Sequence, residues 1–172
     1  MRDYMQMWLK KISWYSFIYP MRVGALVARP GTLRRDQFCR LGWYFGAAFQ
    51  IQDDILNLTG DRRKYGKEIA DDLWEGKRTL ILIHLLKHCS PGERASLWNF
   101  LARPRQNRSA AEVKWVYGLL VRQKSVDYAR RAARQLAGAA LLEGLAAFRG
   151  LPDSDEKRFI LEMILYVVDR DR

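Results

Sequence analysis

The most informative stretch of the sequence reads Phe49-Gln-Ile-Gln-Asp-Asp-Ile-Leu-Asn57 and belongs to a long segment with helical periodicity. In a helix of 3.6 residues per turn, four polar side chains of this segment fall within one stripe about 100° wide. They are Gln50, Asp53, Asp54 and Asn57. Because most of the remaining circumference is apolar, the pattern predicts an apolar helix with one acidic face.

The acidic stripe offers hard oxygen ligands along a rigid wall. No Lys or Arg occurs between residues 41 and 59 to neutralise the two aspartates. Mg²⁺ typically takes one or two protein carboxylates and completes its shell with water and phosphate oxygens. The stripe is therefore a candidate magnesium site, although an amphipathic helix with its acids in water produces the same pattern.

Basic residues and glycines follow the stripe directly, among them Gly66-Lys67 and Gly76-Lys77. Carboxylates that hold a metal ion, next to ammonium groups that hold phosphate, are what a diphosphate–metal complex requires. The alternative interpretation is a solvated basic loop, which fits residues 62–64 best.

The rest of the chain has helical periodicity without the alternation typical of strands, so the predicted fold class is all-α. Ser109 and Glu112 have the spacing of a capping box at a helix start. The predicted helices cover residues 3–19, 23–28, 33 or 36 to 58, 75–88, 93–101, 112–122, 125–149 and 153–169.

Composition limits the class of protein. The 172 residues fit one domain, and a net charge of +11 favours an anionic partner such as a phosphorylated small molecule, a nucleic acid or a membrane surface. Cys39 and Cys89 have no metal-type spacing, and neither a signal peptide nor an apolar run of about 20 residues is visible. We therefore expect a cytoplasmic protein that is not integral to the membrane.

Three segments resemble the second aspartate-rich motif and the following loop of trans-isoprenyl diphosphate synthases, the polyprenyl synthetase family. They are Phe49 to Asn57, then Gly66-Lys67, then Asp72-Leu-Trp-Glu-Gly-Lys77-Arg-Thr79. The resemblance is closest to geranylgeranyl diphosphate synthases, where Asn follows the Asp pair at this spacing. Lys11 and its neighbours resemble the family's Lys-Thr helix, whose lysine binds the allylic diphosphate.

The resemblance implies a helical bundle of the isoprenoid synthase type and a Mg²⁺-dependent prenyltransferase. In this reaction an allylic diphosphate ionises, isopentenyl diphosphate attacks the carbocation, and a proton is lost. The product would be a short-chain prenyl diphosphate such as geranylgeranyl diphosphate. By match to the motif, Asp53 and Asp54 would hold a metal ion, with Asn57 at the third position.

The same match assigns the substrate-binding residues. Lys11, Lys67 and Lys77 would bind the departing diphosphate, and Gln50 would line the cavity near the cation. The partners implied are the allylic diphosphate, isopentenyl diphosphate, and a second subunit in a homodimer or heteromer.

Two departures from the family pattern concern single residues. Asn57 replaces a third aspartate and removes one negative charge, and Ile12 replaces a threonine beside Lys11. A larger departure is that the family's first aspartate-rich motif does not occur in this sequence. We therefore expect residues 1–172 to be the C-terminal part of one isoprenoid synthase domain, inactive alone.

Other functions remain as alternatives. A non-catalytic subunit of a heteromeric prenyl synthase would carry the same motifs, whereas a basic helical module for nucleic acid would need a basic recognition helix that the sequence lacks. His84 and His88, with Cys89 next to them, have an i, i+4 spacing compatible with metal, but there is no Glu of an HExxH pattern and no third ligand is evident, so core or surface roles are favoured.

Overall fold

The computed structural model describes residues 6, 9–31, 34, 36–59 and 70–170, and within these ranges the secondary structure is helical with no strand. The all-α prediction is confirmed. A π-helix covers Leu9–Ile18, and a 3-10 turn covers Arg105–Asn107. The α-helices are α1 Tyr19–Ala28, α2 Cys39–Thr59, α3 Asp71–Trp74, α4 Leu80–His88, α5 Pro91–Ala102, α6 Ala110–Arg122, α7 Ser125–Ala147 and α8 Asp155–Asp169.

The predicted helix break at Pro20 is wrong. The π-helix Leu9–Ile18 runs directly into α1, and Pro20 lies in the first turn of α1. The periodic segment is therefore continuous to Ala28.

The helix predicted over residues 75–88 begins later, at Leu80. Thr79 is its N-cap, because the Thr79 hydroxyl accepts a hydrogen bond from the Leu82 N–H. This satisfies one of the donors that a helix start leaves without a backbone acceptor. The chain before it forms a turn that matters for the site described below.

Two compact units divide the chain, and the first comprises residues 1–52 and 132–170. Its core contains side chains of α2, α7 and α8, with Phe148 from the chain after α7. The close approach of Ser13 to Gly46 joins the π-helix to α2, since a Cβ atom on Gly46 would lie 2.5 Å from Ser13 Oγ. The buried members of the core are Leu41, Phe45, Ala48, Ala137, Ala140, Phe148, Ile164 and Val167.

The second unit comprises the described residues between 53 and 131. Its buried apolar side chains come mainly from the end of α2 and from α4, α5 and α6. They include Ile55, Leu56, Leu58, Ile81, Leu82, Leu85, Leu97, Phe100, Val116, Leu119 and Leu120.

Capping boxes start two helices of this unit. The Ser109–Glu112 box predicted from sequence is confirmed at α6, and a second one, Ser90 with Glu93, starts α5. Across the described ranges, no helix combines the length and hydropathy needed to span a bilayer.

Candidate active site

An ion cluster of three residues lies at the acidic end of α2. Lys77 Nζ lies 2.9 Å from Asp54 Oδ1 and 3.0 Å from Asp72 Oδ2, so one ammonium joins two carboxylates. Asp54 belongs to α2 and Asp72 to α3, while Lys77 lies in the turn that follows α3. We call Asp54, Lys77 and Asp72 the Lys77 cluster. It joins the acidic stripe to the basic segment that the sequence places after it.

Burial differs sharply within the acidic stripe. The side chain of Asp54 has no exposed surface, whereas Asp53 and Gln50 are half-buried. The alternation follows from helix geometry, since neighbouring residues on α2 are about 100° apart around its axis. The two adjacent aspartates therefore have different environments despite their identical chemistry.

Asn57 connects the segment at the start of α3 to the end of α2 by hydrogen bonds. Its side-chain Oδ1 accepts a hydrogen bond from the Asp72 N–H at 3.0 Å, and its backbone carbonyl accepts one from the Ala70 N–H at 2.8 Å. Ala70 has a φ of 65°, in the left-handed region that non-glycine residues adopt rarely. Asn57 is buried, and these two bonds hold α3 against the end of α2.

The turn between α3 and α4 is shaped by Gly76 and Arg108. Gly76 has a φ of 64° and its backbone lies against the Arg108 guanidinium. The guanidinium is buried and donates to the backbone carbonyls at the ends of α3 and α5. The acceptors are the carbonyls of Leu73, Trp74, Phe100, Leu101 and Arg103.

Arg108 therefore stabilises the segment that leads to Lys77. A guanidinium has five N–H donors in a planar fork, which suits the carbonyl-rich ends of two helices. Its positive charge is also favourable beside helix C-termini, where the dipole is negative. Burial lowers the pKa of Arg108.

Neighbouring basic residues are also engaged with the protein itself. Arg105 forms ion pairs with Asp71 and Glu75, and Arg103 pairs with Glu112. The basic run at residues 103–108 thus stabilises the second unit and contributes little of the net charge to a surface for anionic partners.

The pKa values of Asp72 and Lys77 in the Lys77 cluster are both raised. Burial raises the pKa of Asp72, and the attraction of Lys77, which acts in the opposite direction, does not cancel this effect. For Lys77, burial acts to lower the pKa, but Asp54 and Asp72 together outweigh it and the pKa is raised. Both shifts favour the protonated form, chiefly through burial at Asp72 and through the two neighbouring carboxylates at Lys77.

The structure places the remaining predicted site residues as follows. Lys11 is exposed on the π-helix of the first unit, and Gln50 lies on α2 in the same unit. Lys67 falls outside the described residues. Lys77, Asp54 and Asn57 are brought together in the second unit by the contacts given above.

A divalent metal ion needs several ligands that converge on one point. Within the ranges that the structure describes, no three His, Cys, Asp or Glu side chains converge in this way. Asp53 is half-buried and could be reached by an ion, whereas the Asp54 side chain is fully buried with Oδ1 bonded to Lys77. The described residues thus fit one wall of a metal site.

The His84–His88 pair makes contacts typical of a structural role. His84 Nδ1 lies 3.0 Å from Ser125 Oγ, and His88 Nδ1 lies 2.8 Å from the His84 carbonyl oxygen. The two rings stack with centroids 4.0 Å apart, and Tyr128 stacks on His84. Burial, with smaller contributions from His88 and Arg131, lowers the pKa of His84.

Sequence reasoning missed two residues of this region, Asp72 and Arg108. Asp72 stands in the recognised segment with the sequence Asp72-Leu-Trp-Glu-Gly-Lys77, so its spacing from Lys77 was visible, but its contact depends on a short helix. Arg108 lies in a run of arginines that reads as a solvated loop, and nothing in the run distinguishes it.

Comparisons with known proteins show the family to which the chain belongs. Residues 1–120 match the model of the family described as polyprenyl synthetase. The chain is 32% identical over 150 residues to octaprenyl diphosphate synthase of Haemophilus influenzae, covering 87% of this chain and 44% of that protein. Geranylfarnesyl diphosphate synthase of Aeropyrum pernix is 30% identical over 151 residues, with the same two coverages.

A solved structure extends the similarity to the fold. Geranylgeranyl pyrophosphate synthetase of Pyrococcus horikoshii superposes with a TM-score of 0.76 at 28% identity, covering 98% of this chain and 49% of that one. The chain thus spans about half the length of these relatives. The matched residues include the acidic stripe, Lys77 and Arg108, and on this basis the chain belongs to the polyprenyl synthetase family.

Proposed function

We propose that this chain forms one wall of a prenyl diphosphate synthase site that condenses an allylic diphosphate with isopentenyl diphosphate. The observation that carries the proposal is the Lys77 cluster beside the half-buried Asp53, in a chain of the polyprenyl synthetase family. Carboxylate and ammonium groups at one point match the charges of a diphosphate and its counter-ion. The named activities of the relatives support this class of reaction.

The proposed tasks of the residues follow from charge development. When the allylic carbon–oxygen bond breaks, negative charge grows on the departing diphosphate, so cationic groups placed there stabilise the transition state more than the ground state. Lys77 is proposed to donate to a diphosphate oxygen, with Lys11 and Lys67 in the same task. Gln50 is proposed to line the cavity near the carbocation.

Mg²⁺ is the proposed cofactor, with Asp53 as its best-placed ligand in this chain. When bound, the ion would offset the charge on the leaving diphosphate. The remaining ligands would have to come from the substrate, from water and from acids outside the described residues. The two relatives are named for products of different chain length, and we propose a short-chain product such as geranylgeranyl diphosphate on the resemblance of the Asn57 motif.

Calorimetry with an allylic thiolodiphosphate, a non-ionising substrate analogue, tests the proposal in the presence and absence of Mg²⁺. We expect Asp53→Asn to weaken the Mg²⁺-dependent binding about tenfold or more, because hydrogen bonds and ion contacts to charged groups contribute about 1.5–3 kcal/mol. Asp155→Asn, at an exposed position of α8, is the matched control and should bind as the wild type does. Equal losses in both variants would indicate diffuse attraction and would contradict a defined site.

A non-catalytic subunit of a heteromeric synthase is the alternative, and it is favoured by the lack of a three-ligand metal cluster among the described residues. One measurement distinguishes the catalytic wall from the non-catalytic subunit. If the chain assembles with a complete synthase and Asp53→Asn leaves the rate of that assembly unchanged, the subunit role is correct. If the rate falls, the wall that contains Asp53 takes part in the reaction.

A further inference from the structure

We propose that Asp54 is a positioning residue for Lys77 rather than a metal ligand, so that the two adjacent aspartates have separate tasks. The inference concerns the same site as the proposed function and rests on it for the role of Lys77 toward diphosphate. Its structural basis is the pair of contacts from Lys77 Nζ, to Asp54 Oδ1 at 2.9 Å and to Asp72 Oδ2 at 3.0 Å.

Burial separates the tasks of the two aspartates. The Asp54 side chain is fully buried, and a carboxylate removed from water requires a cationic or hydrogen-bonding partner. Lys77 is such a partner. A protein ligand of Mg²⁺ has to be reached by an ion that retains several of its waters, which favours the half-buried Asp53 over Asp54.

The donor geometry of Lys77 explains why it needs two carboxylates. An ammonium has three N–H donors, of which Asp54 and Asp72 accept two. Within the described residues the third donor has no protein acceptor, and the side chain is 37% exposed. A flexible four-carbon side chain held at two points presents its remaining donor in a fixed position, which lowers the cost of binding a phosphate oxygen.

Charge balance gives the inference a distinctive signature. In the wild type, two carboxylates share one ammonium. Lys77→Met removes the ammonium that contacts the buried Asp54 carboxylate, and removing one partner of a buried ion pair is strongly destabilising. Adding Asp54→Asn removes that buried charge, so the double variant should be more stable than Lys77→Met alone.

Urea unfolding followed by circular dichroism measures this rescue in the full 172-residue chain. We expect Lys77→Met to lower the folding equilibrium constant about tenfold or more, and Asp54→Asn in the same chain to recover most of the loss. Asp53→Asn combined with Lys77→Met is the matched control, since it removes an adjacent carboxylate that differs in burial. It should recover less than about threefold, within the range of non-contacting pairs.

A second measurement addresses the metal ion, with Mn²⁺ as a spectroscopic substitute and inorganic pyrophosphate as the probe. Electron paramagnetic resonance should show that Asp53→Asn abolishes Mn²⁺ binding and that Asp54→Asn retains it within about threefold, the size expected for a residue that does not touch the ion. Asp54→Asn should instead weaken pyrophosphate binding, because the neutral amide holds Lys77 by a weaker hydrogen bond than the carboxylate does.

The outcomes separate the two proposals. If Asp54→Asn fails to rescue Lys77→Met, or abolishes Mn²⁺ binding as Asp53→Asn does, the positioning role is overturned and the proposed function stands. If Asp54→Asn rescues while the wild-type chain binds neither Mn²⁺ nor pyrophosphate, alone or with a complementary synthase polypeptide, the Asp54–Lys77 pairing stands and the proposed function fails. The urea-unfolding measurement tests the Asp54–Lys77 pairing even if no Mn²⁺ binding is detected.

Discussion

The backbone of Gly76 lies against the guanidinium of Arg108, so closely that a Cβ atom at Gly76 would be 2.5 Å from Arg108 Nη2 and 2.9 Å from Cζ. Gly76 also has a φ of 64°, which L side chains adopt at a cost. Both features belong to the turn immediately before Lys77. The position of the Lys77 ammonium therefore depends on a glycine and an arginine that do not touch it.

Gly76→Ala should destabilise the second unit by about 2 kcal/mol or more, through the left-handed backbone and the contact with Arg108. Urea unfolding measures the change. Gly92→Ala is the control, because Gly92 lies in the first turn of α5 with open space around its Cα and should be neutral or slightly stabilising. A Gly76→Ala variant as stable as Gly92→Ala would show that the Arg108 contact is easily displaced.

At position 57, a side chain that accepts a hydrogen bond should preserve stability, whereas an apolar side chain should lower it. Asn57→Leu removes the acceptor of the Asp72 N–H and should cost about 1–3 kcal/mol, the penalty of an unsatisfied buried donor. Asn57→Asp retains an acceptor at the same place, although it adds negative charge near Asp54 and Asp72. Hydrogen exchange of the Asp72 amide reports this directly.

We expect slow exchange of that amide in the wild type and in Asn57→Asp, and fast exchange in Asn57→Leu. Slow exchange in all three proteins would mean that the amide is protected by other groups. In that case the Asn57 side chain would not be the group that holds α3 against the end of α2.

The pH dependence of the α6 start follows from Glu112. Hydrogen bonding from the Ser109 backbone N–H, together with the Arg103 and Ser109 side chains, lowers the pKa of Glu112 to about 2 from an ordinary value of 4.5. A folded-state pKa below the unfolded value stabilises the protein above pH 4.5, and this contribution is lost as the pH falls from 4.5 toward 2.

Glu112→Gln keeps an acceptor for the cap but has no charge. The variant should therefore be less stable than the wild type at pH 7, and the difference should shrink as the pH approaches 2. Denaturant unfolding at several pH values measures this trend. Glu162→Gln, at an exposed position of α8, is the control. A Glu112→Gln deficit that stays constant with pH would contradict the assigned cause.

Local patterns made the acidic helix predictable. The stripe of Gln50, Asp53, Asp54 and Asn57 repeats every three to four residues, so α2 and its polar face could be derived from periodicity alone. The Ser109–Glu112 box could be predicted for the same reason, because all its contacts lie within four residues. Both depend only on helix geometry.

Long-range contacts could not be predicted in this way. The hydrogen bond from Asp72 to Asn57 joins residues 15 apart and depends on the left-handed Ala70 between them. The burial of Arg108 depends on two helix ends whose carbonyls meet around it. No fixed sequence separation identifies either contact. The sequence therefore indicated which charged residues belong to the site but not which partner each of them contacts.

Several large apolar side chains on the π-helix and α1 are exposed. None of the residues of α1 is buried, and Tyr15, Tyr19 and Val27 are 75%, 59% and 77% exposed. Monomeric soluble proteins rarely leave such apolar groups uncovered together. We therefore expect the isolated chain to self-associate or to bind a complementary polypeptide through residues 9–28.

Light scattering after size-exclusion chromatography measures this association. Tyr15→Lys together with Val27→Lys should shift the chain toward the monomer, because a charged side chain in an apolar contact carries a large desolvation cost. Leu142→Lys is the control, at a position of similar exposure on α7 of the same unit. A wild-type chain that is monomeric, or one that Leu142→Lys dissociates equally well, would contradict a specific face at residues 9–28.

The single acidic wall predicts that the chain alone has no synthase activity. The described residues contain no group of three metal ligands, and Asp53 with its neighbours forms a single wall. A diphosphate that departs against one wall would meet largely uncompensated charge, so turnover should require acids contributed by another polypeptide. We expect no product from allylic and isopentenyl diphosphates with the chain alone, and product after a complementary synthase polypeptide is added. A purified monomer that forms product by itself would show that a second acidic wall exists within the 172 residues.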